Sequence, residues 1–117
     1  MPLFRRHVIE GDLTIRSVRE GDTHVVEPVG ALDRRTAEQL EDELLHVEAT
    51  DASEILVDLE SLHFIDSAGI KVFLLATDRS LLRPGRLMIL PGPKAVQRAF
   101  EISGLESRLP FVVRKDA

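Results

Sequence analysis

Ile55-Leu56-Val57-Asp58-Leu59-Glu60-Ser61-Leu62-His63-Phe64-Ile65-Asp66-Ser67-Ala68-Gly69 opens as a strand and closes as the start of a helix. Its first five residues are a short, nearly continuous apolar run containing two β-branched residues, the pattern of a central strand covered on both faces. Glu60 to Asp66 reads as a loop. From Ser67 to about Leu82 the spacing predicts a helix, with Ile70, Phe73, Leu74, Thr77 and Leu81 as an inward stripe and Val72, Leu75 and Ala76 on its flank. Arg83-Pro84-Gly85-Arg86 is the turn that ends it.

Leu87-Met88-Ile89-Leu90 then reads as a strand, and Pro91-Gly92-Pro93 starts a helix with proline in its first turn. Ala95, Val96, Ala99, Phe100 and Ile102 give that helix an apolar face, Ser103-Gly104 stops it, and Phe111-Val112-Val113 is a short last strand. On the other side, Thr36 to about Ala49 carries apolar residues at helical spacing, and Thr36-Ala37-Glu38-Gln39 fits a capping box. Leu13 to Val18 and Val25 to Val29, joined through Glu20-Gly21-Asp22, read as an antiparallel hairpin. Helices between the later strands favour parallel crossovers. The expected fold is one α/β domain over residues 1–117, with its core at about 13–113. Its sheet is mixed and mostly parallel, with an N-terminal antiparallel hairpin and about three main helices. Only the first ten or so residues and the last four look loosely held.

Composition narrows the functional classes. The chain has 117 residues, 44% of them hydrophobic and 30% charged, which is enough for a single core. Zero cysteines exclude disulfides, thiolate metal sites and a cysteine nucleophile, and fit a reducing cytoplasm. A net charge of −5 argues against direct nucleic-acid binding, which needs a basic footprint. The longest mainly apolar stretch, Ile70 to Ala76, is interrupted by Lys71 and far short of the roughly 20 residues that span a bilayer. No membrane association and no targeting segment are expected. Seven acids and two arginines between Asp33 and Asp51 account for the whole net charge, whereas Arg79 to Arg98 contains five basic residues and no acid. These segments read either as solvated helix faces or as a dipole that orients a partner.

In parallel α/β sheets, the loops after the carboxyl ends of the strands share one edge, where ligands usually sit. Gly30 to Asp33, Glu60 to Asp66 and Pro91-Gly92 qualify, so Asp33 and Ser67 are expected as neighbours. Two readings of Ser67 stand at this point. It is an N-cap for its helix, or it is a hydroxyl to be modified beside a partner surface. The helix behind it is either buried beneath its neighbours or docks a partner. A hydrolase elbow is disfavoured, because Ile65 stands where Gly-x-Ser-x-Gly needs glycine. His63 reads as a loop or strand-end residue. His7, His24 and His46 have no metal-ligand spacing, and no metal or other cofactor is expected. Gly92-Pro93-Lys94 lacks the framework of a phosphate loop.

Four segments together resemble the bacterial STAS domain family (sulfate transporter and anti-sigma antagonist), and within it the anti-sigma factor antagonists. They are Gly30-Ala31-Leu32-Asp33 with Thr36-Ala37, Ile55 to Leu59, Phe64-Ile65-Asp66-Ser67-Ala68-Gly69, and Pro93, Val96, Phe100 with Ser103-Gly104-Leu105. The resemblance implies that Ser67 is phosphorylated by a partner anti-sigma factor that is also a serine kinase. The unphosphorylated form would bind that partner and release a sigma factor, and a separate serine phosphatase would restore it. The chain would then be a substrate and binding switch in the cytoplasm, with no catalytic residues of its own. Asp33, Asp66 and Ser67 match the partner-facing loops, and Ala68, Gly69, Lys71, Val72 and Leu75 extend that edge along the helix. Ala68 departs from a frequent second serine and Lys71 from a small residue. A non-switching scaffold of the same family, such as a stressosome subunit or a transporter-associated module, is the alternative.

Overall fold

The computed structural model describes residues 4–10 as a strand and residues 12–114 throughout. In chain order the elements are β1 (Phe4–Glu10), β2 (Leu13–Glu20), β3 (Thr23–Leu32), α1 (Ala37–Glu48), β4 (Glu54–Asp58), β5 (Leu62–Ile65), α2 (Ser67–Ser80), β6 (Leu87–Leu90) and α3 (Lys94–Ile102). A 3-10 turn at Glu106–Arg108 follows. The sheet order is β1-β2-β3-β4-β6, with β5 also paired to β3. β1, β2 and β3 are antiparallel, and every other pairing is parallel. This is the expected mixed α/β architecture.

β3 is long enough to serve two parallel partners on one edge. Its residues Thr23 to Val26 pair with β4, while Gly30 to Leu32 pair with β5 across a register shift after Gly30. Gly30 has φ +118, and a Cβ there would collide with the Asp12 carbonyl oxygen, so this irregular step requires glycine. Burial alternates along β2 and β3, with Leu13, Ile15, Ser17, His24, Val26 and Pro28 inward. Ile55 and Val57 of β4 are buried, but Leu56 and Asp58 are half-exposed, so only one face is fully covered. The core joins these strands to Leu40, Leu44 and Val47 of α1, Phe73 of α2, and Val96 and Phe100 of α3. Edge-to-face rings link Phe73 to Phe100 (5.9 Å) and Phe100 to Phe111 (5.2 Å).

Several expectations are corrected. Residues 4–10 form β1, because their backbone completes a regular ladder with β2. The remaining loosely held residues of the expectation, 1–3, 11 and 115–117, lie outside the described residues. Arg114 is anchored by hydrogen bonds to Asp58 (2.7 Å), Glu60 (3.0 Å) and the Pro91 carbonyl (2.8 Å). β5 lies where a loop was expected, and Phe111 contributes only a single bridge to Ile89 rather than a strand.

α2 ends at Ser80, so Leu81 lies just past it and is exposed, as are Ala95 and Ile102 of α3, whereas Val72 and Ala76 belong to the core. The inward face of α2 keeps Ile70, Phe73 and the partly buried Leu74 of the expected stripe and adds Val72 and Ala76. Thr36 makes no side-chain cap on α1. Its hydroxyl donates to the Ala31 carbonyl (2.8 Å) and accepts from the Asp33 amide (3.0 Å), so it closes the preceding loop instead. The acidic and basic segments meet at Arg79, which makes paired hydrogen bonds to Glu41 and to Glu48 at 2.7 to 3.1 Å.

Candidate functional site

Leu32 of β3 and Ile65 of β5 are register partners, so the next residues, Asp33 and Asp66, leave the sheet side by side. The Asp66 amide donates to the Leu32 carbonyl at 3.1 Å and fixes that exit. Asp66 is the N-cap of α2, its Oδ1 accepting from the Ala68 amide at 2.9 Å and the Gly69 amide at 3.3 Å. The capping role considered for Ser67 thus falls to its neighbour. Ser67 is the first helical residue, exposed, and among the described residues its hydroxyl has no hydrogen-bond partner.

Gly69 is buried where α2 meets the sheet ends. A Cβ there would lie 2.8 Å from Leu32 Cγ, 2.8 Å from Ile65 Cγ1 and 2.9 Å from the Leu32 carbonyl oxygen. The glycine lets the helix start close against the Leu32–Ile65 pair, and that approach presents Ser67 at the edge.

Across the gap, the Asp33 carboxylate accepts from the Arg35 amide (2.8 Å) and from its guanidinium (3.1 Å), and Arg35 also bonds Asp12. The hydrogen bond from the Arg35 side chain holds the Asp33 carboxyl below its usual range, so Asp33 is a fixed anion at neutral pH. The Asp33 carbonyl accepts from the Thr36 and Ala37 amides, which ties the loop to α1. Asp33, Arg34, Arg35, Asp66, Ser67 and Ala68 line an open cleft of about 340 Å³. The expected proximity of Asp33 and Ser67 is realised there.

A shallow groove of about 370 Å³ continues from this cleft between α1 and α2. Arg34, Ala37, Glu38 and Glu41 form one wall, and Ala68, Lys71, Val72 and Leu75 the other. Lys71 and Leu75 are exposed, Ala68 is half-buried, and Val72 and Gly69 lie beneath the surface. Sequence reasoning did not single out Arg34 and Arg35, although both follow Asp33 directly. Phe64, two residues before Asp66 on β5, is 48% exposed and enters the sequence reading only as part of the motif. Among the described residues no group of three or more His, Cys, Asp or Glu side chains gathers as a metal site, and no helix is long and apolar enough to cross a membrane. His63 is an exposed strand residue.

Comparison with known proteins agrees with this geometry. A Bordetella bronchiseptica protein named "Putative anti-sigma factor antagonist BtrV" is 33% identical over 88 residues, which is 75% of this chain and 76% of that protein. The crystal structure of an anti-sigma factor antagonist from Mycobacterium paratuberculosis superposes with a TM-score of 0.75 at 26% identity, covering 89% of both chains. SpoIIAA in its unphosphorylated form gives 0.66 at 20% identity, covering 97% of this chain and 90% of the other. The Bacillus SpoIIAA in phosphorylated form gives 0.60 at 19%, with 97% and 93% covered. At these last identities the likeness is one of fold. A family model for the STAS domain matches residues 14–115, and the chain belongs to the STAS domain family.

Proposed function

We propose that this chain is an anti-sigma factor antagonist of the cytoplasm, switched by phosphorylation of Ser67. In this reading it is a binding module and a substrate, not a catalyst. With Ser67 unmodified, the cleft edge and the α1–α2 groove dock an anti-sigma factor that is also a serine kinase, and a sigma factor is released. A serine phosphatase resets the modified form. The observation that carries the reading is the placement of Ser67: exposed, free of hydrogen-bond partners among the described residues, and in an open cleft that Asp33, Arg34, Arg35 and Asp66 also line.

Phosphorylation adds about −1.5 to −2 charges at pH 7. Asp33 and Asp66 line the cleft together with Arg34 and Arg35, and the Arg35 guanidinium is already engaged by Asp33 and Asp12. Burying the added charge against a partner without compensation costs several kcal/mol, so docking fails. Within the free domain, the phosphate sits at the start of α2, where the helix dipole favours an anion by roughly 0.3 to 1 kcal/mol. The signal is therefore lost affinity rather than a changed fold.

The reading is tested by incubating the protein with the anti-sigma serine kinases of its own cell and ATP, then locating phosphate by mass spectrometry. One phosphate on Ser67, absent from Ser67→Ala, is expected. Phosphate on another residue, or none with any such kinase, overturns the switch and favours the non-switching scaffold.

A further inference from the structure

A second cavity lies at the opposite end of α2 from Ser67, by the starts of β4 and β6. It has a volume of about 300 Å³, within the range of small-molecule sites. Ile55, Ala76 and Leu87, all at least nine-tenths buried, give it apolar walls, while Leu82 at its rim is 89% exposed. Its charged lining is uneven: Arg79, Arg83 and Arg86 against Glu48, and with Arg79 paired to both Glu48 and Glu41 the unmatched cations are Arg83 and Arg86. Both Glu48 carboxylate oxygens are already taken by Arg79.

Arg86 is the unusual member. Its side chain lies in a residue only 8% exposed, and its guanidinium donates to three neutral carbonyls, those of Ala52, Glu48 and Thr50, each at 2.9 Å. These bonds spend three of five N–H donors and bring no carboxylate into contact. Burial, and after it the nearby Arg83, disfavour its charged form, and the Glu48 carboxylate offsets them only in part. A buried guanidinium beside an apolar cavity is stabilised by an anion entering that cavity. Arg83, exposed at the mouth, adds a second cation there.

We propose that this cavity binds a medium-chain monocarboxylate, its alkyl chain against Ile55, Ala76 and Leu87 and its carboxylate between Arg83 and Arg86. The volume of about 300 Å³ has room for one such chain, and the charge selects the anion over the alcohol of equal length.

Decanoate, kept below its micelle-forming concentration, is titrated into the protein by calorimetry and followed by amide NMR. Saturable one-to-one binding is expected, with shifts centred on Ala76, Leu82 and Leu87. Decanol binds about tenfold or more weakly, because it forfeits charge-assisted hydrogen bonds. Each methylene removed from the acid weakens binding about fourfold. Arg83→Gln, at an exposed position, weakens decanoate and leaves decanol unchanged, whereas Ala76→Met fills the cavity and weakens both. The proposal is overturned by no saturable binding, by equal affinity for decanol, by an unchanged dissociation constant in Arg83→Gln, or by shifts centred elsewhere. Should Ala76→Met not fold, the alcohol comparison and Arg83→Gln decide the matter.

Discussion

Gly69 shows how one residue sets the position of another. Its missing side chain allows α2 to start against Leu32 and Ile65. Gly69→Ala overpacks this contact at about 1 to 3 kcal/mol, to be read as a lower midpoint in denaturant. A midpoint equal to wild type would show that the helix start has room to spare. Lys71 stands one turn beyond Ser67 and is exposed on the same side as the groove. Lys71→Ala is expected to destabilise the phosphorylated protein while leaving the unmodified one within about 0.5 kcal/mol, seen as a larger drop in melting temperature on phosphorylation. Equal drops in the two proteins would remove Lys71 from the account. The sequence made Ser67 and its acidic neighbour legible, but not which of them caps the helix. A serine and an aspartate are nearly equal N-caps by type, and the frame is settled by the Leu32–Ile65 pairing, which lies 33 positions apart in the chain.

At the scale of elements, the legible ones are those with a clear period. α1, α2, β2, β3 and β6 follow from apolar spacing, whereas β5 does not. Leu62-His63-Phe64-Ile65 buries its two ends and exposes its middle, so neither a helical nor an alternating pattern marks it. β5 is nonetheless the element that puts Asp66 beside Asp33. Arg86 was equally hidden: local sequence makes it a turn residue, while its guanidinium bonds the last carbonyl of α1, that of Glu48, and those of Thr50 and Ala52 just after its carboxyl end, 34 to 38 positions earlier. Arg86→Met leaves three carbonyls of that end without donors. The expected cost is about 3 kcal/mol or more, measured by chemical denaturation, with Arg86→Lys recovering only part because an ammonium lacks the planar fork. Full recovery by lysine would mean that charge alone matters there.

For the molecule as a whole, the fold has two poles joined by α2, a helix of about 21 Å by its rise per residue. Ser67 stands at one end, and the apolar cavity with its arginines lies at the other. Between the sheet strands, buried His24 hydrogen-bonds Ser17 at 2.6 Å. Burial lowers its pKa below the usual 6.5, although Glu43 acts in the opposite sense. The unfolded chain therefore takes up a proton near pH 6.5 that the folded chain refuses, and stability is complete above that pH and declines below it. Melting temperatures from pH 7.5 to 5.5 are expected to fall, with a shallower fall in His24→Gln; identical slopes would exclude this histidine as the cause. The net charge of −5, read from sequence as segregated, is partly folded back on itself through Arg79, so the charge that matters for switching is local to the Ser67 cleft. The most direct measurement of that claim is the dissociation constant of the cognate anti-sigma factor for the unmodified protein and for the same protein phosphorylated on Ser67. Binding at least about a hundredfold weaker is expected after phosphorylation, the equivalent of losing about 2.7 kcal/mol, with Ser67→Ala retaining wild-type affinity and Ser67→Asp weakened. Equal affinities of the two forms would contradict that claim.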